Sequence, residues 1–200
     1  MKRTKHRKAG DKPKVVRIIL GGSGGQGIVS LGKVLANAGI HAQMDVSCLP
    51  SYGAEMRGGY VYCTLVLSSR KDISSPVISQ ADIAAFMNEA SSQILTPFLK
   101  SGGHLFLNAS LVKEQPPKSA HAVALSATET AESLGDVRVA NMVMAGAVAA
   151  CINRFFAPFS PADLQYGIKG AISHKDAWKI CRAAAELGWA EAEAVLTKKE

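Results

Sequence analysis

Apolar and polar positions along this chain switch repeatedly between two spacings, and the switches outline strands and helices in turn. A short β-branched run over residues 15–20 ends in glycines, the profile of a buried strand. Ile28, Val29, Leu31, Val34, Leu35 and Ala38 then recur at helical spacing, which predicts a helix over residues 26–38 with Gly39 as its stop. Residues 43–48 alternate weakly as a second strand, residues 49–59 form a loop, and residues 60–68, rich in Val, Tyr, Thr and Leu, form a strong third strand. Ser75-Pro76 breaks the chain before a short buried strand at 81–86 and a helix at 90–99, closed by Lys100-Ser101-Gly102-Gly103. Further strands are expected at 104–107 and 121–125, the second preceded by a surface loop at Gln115-Pro116-Pro117, with a brief helix at 128–134 ended by Gly135.

Residues 139–156 read as the most apolar helix, with Ala, Gly and Met on several faces. Its apolar part, 139–152, falls short of the ~20 residues a bilayer requires, so it is expected as a packed central helix. Ser160-Pro161 caps another helix, and a last one runs over 176–187 before Gly188. Strands alternating with helices predict an α/β, Rossmann-like layered domain, its mostly parallel or mixed sheet flanked by helices, as a single unit over 15–200.

Composition narrows the function classes. Apolar content of 48% with 20% charged residues is ordinary globular usage, and 6% aromatic content argues against nucleic-acid binding by base stacking. The net charge of +7 is concentrated at the start: residues 1–14 carry Lys2, Arg3, Lys5, Arg7, Lys8, Lys12 and Lys14 against Asp11 alone. The remainder is close to neutral, so no nucleic-acid groove is implied, and the basic tail reads as a disordered solubilising extension. It lacks the apolar core of a signal peptide, and neither a membrane partner nor export is expected; the location is cytoplasmic. Cys48, Cys63, Cys151 and Cys181 fit no zinc or iron–sulfur spacing and read as reduced thiols, with no metal site.

Two segments carry candidate chemistry. Gly22-Ser23-Gly24-Gly25-Gln26-Gly27 joins a strand to a helix N-terminus, where unpaired N–H groups and the helix dipole favour an anion. It satisfies the dinucleotide fingerprint literally, with Asp45 about where a ribose-binding acid belongs, although Asp45 equally suits a turn or cap. No Gly-Lys-Ser/Thr follows, so it is not a P-loop. In Ser51-Tyr52-Gly53-Ala54-Glu55-Met56-Arg57-Gly58-Gly59, Glu55 and Arg57 either form a surface ion pair or leave the Arg57 fork, with two glycines beside it, for a carboxylate or phosphate.

Together these segments resemble the gamma subunit, or gamma domain, of 2-oxoacid:ferredoxin oxidoreductases. Residues 22–27 match that family's G-x-G-G-Q-G loop, and residues 51–59 its S-Y-G-P-E-x-R-G-G signature. Ser75-Pro76, Ala81-Asp82, Asn88-Glu89-Ala90, Gly102-Gly103, Asn108 and Val139-Ala140-Asn141-Met142 with Gly146 follow its later landmarks, so the likeness covers roughly residues 15–155. Ala54 replaces the usual proline, and Cys181 stands where asparagine is expected.

The resemblance implies a complex that converts a 2-oxoacid and CoA to an acyl-CoA and carbon dioxide, passing electrons to ferredoxin. The form of the second motif favours 2-oxoglutarate, with branched-chain 2-oxoacids or pyruvate as alternatives. Thiamine diphosphate with magnesium, CoA and iron–sulfur clusters are expected in the whole complex and none in this chain alone, which is inactive by itself. Alpha and beta catalytic subunits and a ferredoxin-like delta subunit or external ferredoxin are the implied partners. Gly22, Ser23, Gly24, Gly25, Gln26 and Gly27 would receive an anionic group, a CoA phosphate or an acidic neighbour. Tyr52, Glu55 and Arg57 would order a loop facing the thiamine site, Arg57 acting electrostatically in catalysis with Glu55 as an auxiliary, and Tyr52, Gly58, Gly59 and Asn141 would join the glycine loop in cofactor binding. The competing expectation is that both loops only pin gamma against alpha. A stand-alone Rossmann dehydrogenase is the different-class alternative, and it leaves residues 51–59 unexplained.

Overall fold

A computed structural model describes residues 15–53, 59–69, 75–172 and 175–198. The expected basic tail at 1–14 lies outside them. Six strands, β1 (Val15–Ser23), β2 (Asp45–Tyr52), β3 (Tyr60–Ser68), β4 (Ala81–Phe86), β5 (Leu99–Asn108) and β6 (His121–Leu125), form one sheet in the order β2-β3-β1-β4-β5-β6. The helices are α1 (Ile28–His41), α2 (Glu89–Leu95), α3 (Ala127–Ser133), α4 (Ala140–Phe155), α5 (Pro161–Ala171) and α6 (Lys175–Thr197). The sheet is mixed, as expected. β1, β4, β5 and β6 run parallel, while β3 is antiparallel to both β1 and β2.

The two sheet faces are covered unequally. Val16, Ile18 and Leu20 of β1 point into the larger core with Leu65 and Leu67 of β3, and α1 and α3–α6 close that side. The other core, centred on Ile19, Ala84, Phe86 and Leu105, is closed by α2 and connecting segments. Every residue of α4 from Ala140 to Ile152 is buried, so it is the central helix its all-round apolar pattern predicts. Among the described residues no helix is long and apolar enough to cross a membrane.

Several expected boundaries move: β2 runs on to Tyr52 instead of ending at 48, α2 ends at Leu95 instead of 99, and three further shifts have a reason in the tertiary contacts. α1 passes Gly39 to reach His41, because the missing Cβ there makes room for Leu67 and Val46 of the sheet. Lys100–Gly103 is not a helix-closing turn but part of β5; a register shift opposite Ala81 and Ile83 absorbs the glycines, with Gly102 at φ 76°. α6 runs through Gly188 to Thr197, since that glycine and Gly146 of α4 let the two helix backbones touch: a Cβ at Gly188 would strike the Val143 carbonyl, and one at Gly146 the Ala185 carbonyl. At the start of α5, Ser160 and Asp163 complete a capping box behind Pro161, and Asp163 also meets His41 Nδ1 at 2.6 Å, binding α5 to the end of α1.

Gly188→Ala tests the helix crossing by sign. In an open helix interior the change gains up to about 1 kcal/mol; here the overpacking should instead destabilise by about 1–3 kcal/mol, read from denaturant unfolding. Asp163 supplies a pH signature. Burial opposes its ionisation, but the Ser160 hydroxyl, His41 and the Ser160 N–H overcome this and hold the carboxyl below its usual 3.8. Its stabilisation is therefore complete above the unfolded value and is lost as pH falls through the lower folded value. Asp163→Asn should flatten the loss of thermal stability in that acid window.

Candidate functional site

The glycine loop sits where β1 gives way to α1, at the carboxyl edge of the parallel strands, the usual ligand crevice of open α/β sheets. Gly25 at φ 92° and Gly27 at φ 71° take the left-handed conformation that glycine tolerates, which turns the chain into α1 within a few residues. Gly27 is the N-cap of α1, and among the described residues no side-chain oxygen accepts from its first N–H groups. Gly24 and Gly25 are exposed, with nothing within 4 Å of where a Cβ would stand.

Gln26 holds this loop from inside. Its Oε1 accepts from the Ser23 N–H at 2.7 Å and from Asn88 Nδ2 at 3.0 Å, while its Nε2 donates to the Met87 carbonyl at 3.3 Å. Asn88 also donates to Ser23 Oγ at 2.5 Å and caps α2 through the Ser91 N–H. Asn108, at the end of β5, donates to the same Met87 carbonyl at 3.3 Å. Side-chain amides thus clip the ends of β1, β4 and β5 together. Asn88 and Asn108 appeared in the sequence only as landmarks; an asparagine just after a strand was the available signal for this holding role.

Asn141, on the first turn of α4, donates Nδ2 to the Gly27 carbonyl at 3.0 Å. That bond fixes which way its amide points. Its Oδ1 is buried and, among the described residues, has no hydrogen-bond partner. The start of α1 therefore offers N–H donors beside the unused Asn141 acceptor on α4, a set suited to an anionic group that carries a neighbouring O–H or N–H.

The second motif returns to the first. Gly53 N–H pairs with the Tyr60 carbonyl at 2.9 Å, and the Gly24 N–H donates to the buried Gly59 carbonyl at 3.3 Å. Tyr52 is 69% exposed at the end of β2. Ser23, Gly24, Gly25, Gln26, Gly27, Gly59 and Asn141 are thus brought together, with Gly22 packed beneath against Ile28. Glu55, Arg57 and Gly58 lie outside the described residues.

Asp45 is not part of this site. It begins β2 opposite Ser68, the residue that also faces Val15 at the start of β1. The glycine loop is at the other end of β1, about 25 Å away at the strand rise. An acid reading a ribose belongs at the loop's own edge of the sheet, so the dinucleotide alternative loses its second element. Among the described residues no three His, Cys, Asp or Glu side chains converge as they would around a metal ion.

The family described as pyruvate ferredoxin/flavodoxin oxidoreductase matches residues 17–191. The chain is 30% identical over 135 residues to ketoisovalerate oxidoreductase subunit VorA of Methanothermobacter marburgensis, covering 68% of this chain but only 28% of that protein. It is 32% identical over 139 residues to the 2-oxoglutarate synthase subunit KorC of the same organism, covering 66% of this chain and 74% of that one. The crystal structure of a keto/oxoacid ferredoxin oxidoreductase gamma subunit from Geobacter sulfurreducens superimposes with a TM-score of 0.77 at 25% identity, covering 90% of this chain and 99% of that chain.

Gln26→Ala should leave the fold intact but loosen the loop. Removing the acceptor of the Ser23 N–H and of Asn88 should cost about 1–3 kcal/mol in unfolding free energy and speed amide exchange across residues 22–27.

Proposed function

Because the chain belongs to the pyruvate ferredoxin/flavodoxin oxidoreductase family, we propose that it is the gamma subunit of a thiamine-dependent, CoA-acylating 2-oxoacid:ferredoxin oxidoreductase. Its partners are alpha and beta catalytic subunits and a ferredoxin-like delta subunit or external ferredoxin. The preferred 2-oxoacid is 2-oxoglutarate. The match to KorC over 74% of that subunit's length supports this choice. The likeness to VorA supports a branched-chain 2-oxoacid as the second reading.

The observation that supports the reading is the Gly24-to-Gly59 bond, which joins the last residue of the second motif to the glycine loop that precedes α1. In this reading the glycine loop and the α1 terminus hold an anionic group, a CoA phosphate by preference. Asn141 Oδ1 takes an adjacent O–H or N–H of the same molecule. CoA, when bound, supplies the thiol that receives the acyl group. Arg57 adds a positive field beside it, and Tyr52 and Glu55 order the segment between. This chain binds and orients; the bond-breaking groups belong to its partners. Docking has its own support on the thinly covered sheet face, where Leu49, Val77, Ile94 and Phe98 stand 40–77% exposed around one apolar cleft.

The test is Arg57→Ala in the reconstituted complex. The expected result is normal assembly with acyl-CoA formation reduced about 10²–10³-fold, the scale of losing one preorganised electrostatic contact. Normal assembly with undiminished acyl-CoA formation would remove Arg57 from the chemistry, and failed assembly would leave the loops as docking elements.

A further inference from the structure

Cys48 and Cys63 face one another across β2 and β3 with their sulfurs 3.4 Å apart. Cys48 is exposed on the edge strand, whereas Cys63 is buried on β3. The helix above makes space for the pair. Gly32 of α1 sits directly over it, and a Cβ there would come within 2.6 Å of the Cys63 sulfur and 3.7 Å of the Cys48 sulfur. The spacing 48…63 belongs to no metal or disulfide motif, so it is the strand pairing that brings the two together.

We propose that Cys48 and Cys63 are an oxidation site at which a hydroperoxide oxidises Cys48 and Cys63 resolves the product as a disulfide. The two thiols are differentiated for these roles. Hydrogen bonding from Cys63 and the nearby Lys33 ammonium favour the Cys48 thiolate over the opposing effect of its partial burial, and the thiolate is the nucleophile. Cys63 keeps its proton, held by its bond to Cys48, by burial and by the Cys48 charge. In the first step the Cys48 sulfur attacks a peroxide oxygen, the O–O bond breaks, and Cys48 becomes a sulfenic acid as hydroxide or alkoxide leaves. That step removes the negative charge and the acceptor holding the Cys63 proton. The Cys63 sulfur then attacks the Cys48 sulfur, the S–O bond breaks, and water departs with that proton. Two electrons pass from the sulfur pair to the peroxide, and a dithiol reductant reverses the change.

The disulfide acts on backbone as well as sulfur. Cys48 is opposite Leu65 and Cys63 is opposite Pro50, so the two cysteines are diagonal neighbours. Diagonal Cα pairs stand about 7–8 Å apart, beyond the usual disulfide span, so closing the bond draws the strands together by about 1 Å. β2 is the strand that gives way, because it is bonded on one side only. Its far end carries Tyr52 and Gly53 into the Arg57 segment. The proposal stands on the thiol geometry and is independent of the anion-site reading.

The experiment treats the purified full chain with hydrogen peroxide and maps thiols by peptide mass spectrometry. The expected result is that Cys48 and Cys63 lose reactivity together and appear in one cross-linked pair, while Cys151 and Cys181 stay reduced. Cys63→Ser should instead give a dimedone adduct at Cys48, and Cys48→Ser should leave Cys63 reduced. Oxidation of Cys63 in the Cys48→Ser chain would overturn the proposal. So would a dimedone adduct at Cys48 of the unsubstituted chain without cross-linking, or earlier oxidation of Cys151 or Cys181.

Discussion

The pairing of β3 between β1 and β2 is the constraint on which the site depends. β3 is matched residue for residue with β1 from Val15–Ser68 to Ser23–Tyr60, and with β2 from Asp45–Ser68 to Tyr52–Val61. A one-residue slip would invert every side chain on β3, removing Leu65 and Leu67 from the large core and sending Val66 into it. Burial on both faces therefore fixes the register. That register delivers Gly59 to Gly24 and sends Asp45 to the opposite end of the sheet. One hydrophobic choice in the sheet thus decides both which motifs meet and which do not.

Behind the sheet, stability comes from apolar burial under backbones that approach unusually closely. α4 and α1 both pack on the sheet, and α6 packs on α4 where Gly146 and Gly188 remove the side chains that would separate them. Close backbone approach at these two positions lets a layer rich in alanine reach interior density without large side chains. α4 also carries Asn141, so the packing of α6 against α4 helps hold the amide that grips Gly27. Core and site are linked through one rigid helix.

The polar clip around Met87 and Gln26 works by satisfaction rather than by charge. Each strand end leaves backbone groups without ladder partners, and Gln26, Asn88 and Asn108 supply them. Among the described residues the first N–H groups of α1 and the Asn141 Oδ1 are left without such partners, as are the buried Ser91 Oγ and Trp178 Nε1.

Local pattern determined much of the architecture. The β3 limits followed from its run of Val, Tyr, Thr and Leu, β6 from a short apolar segment, and α4 from its apolar length. The Gly22–Gly27 strand-to-helix turn was legible because glycine's allowed conformations and the helix period are local properties. The ends of α1 and α6 were not, because Gly39 and Gly188 are helix stops by intrinsic preference, and only a neighbouring strand or helix converts them into contact points. Asp45 shows the same division: its spacing from the glycine loop suits a ribose acid, but β2 starts at the far edge of the sheet. Sequence by itself determined which segments become strands and helices and where an anion-receiving turn lies. Tertiary structure decided that Gly24 meets Gly59, that Asn141 reaches Gly27 and that Cys48 faces Cys63, because contacts between distant segments depend on strand order and register, which the whole core selects.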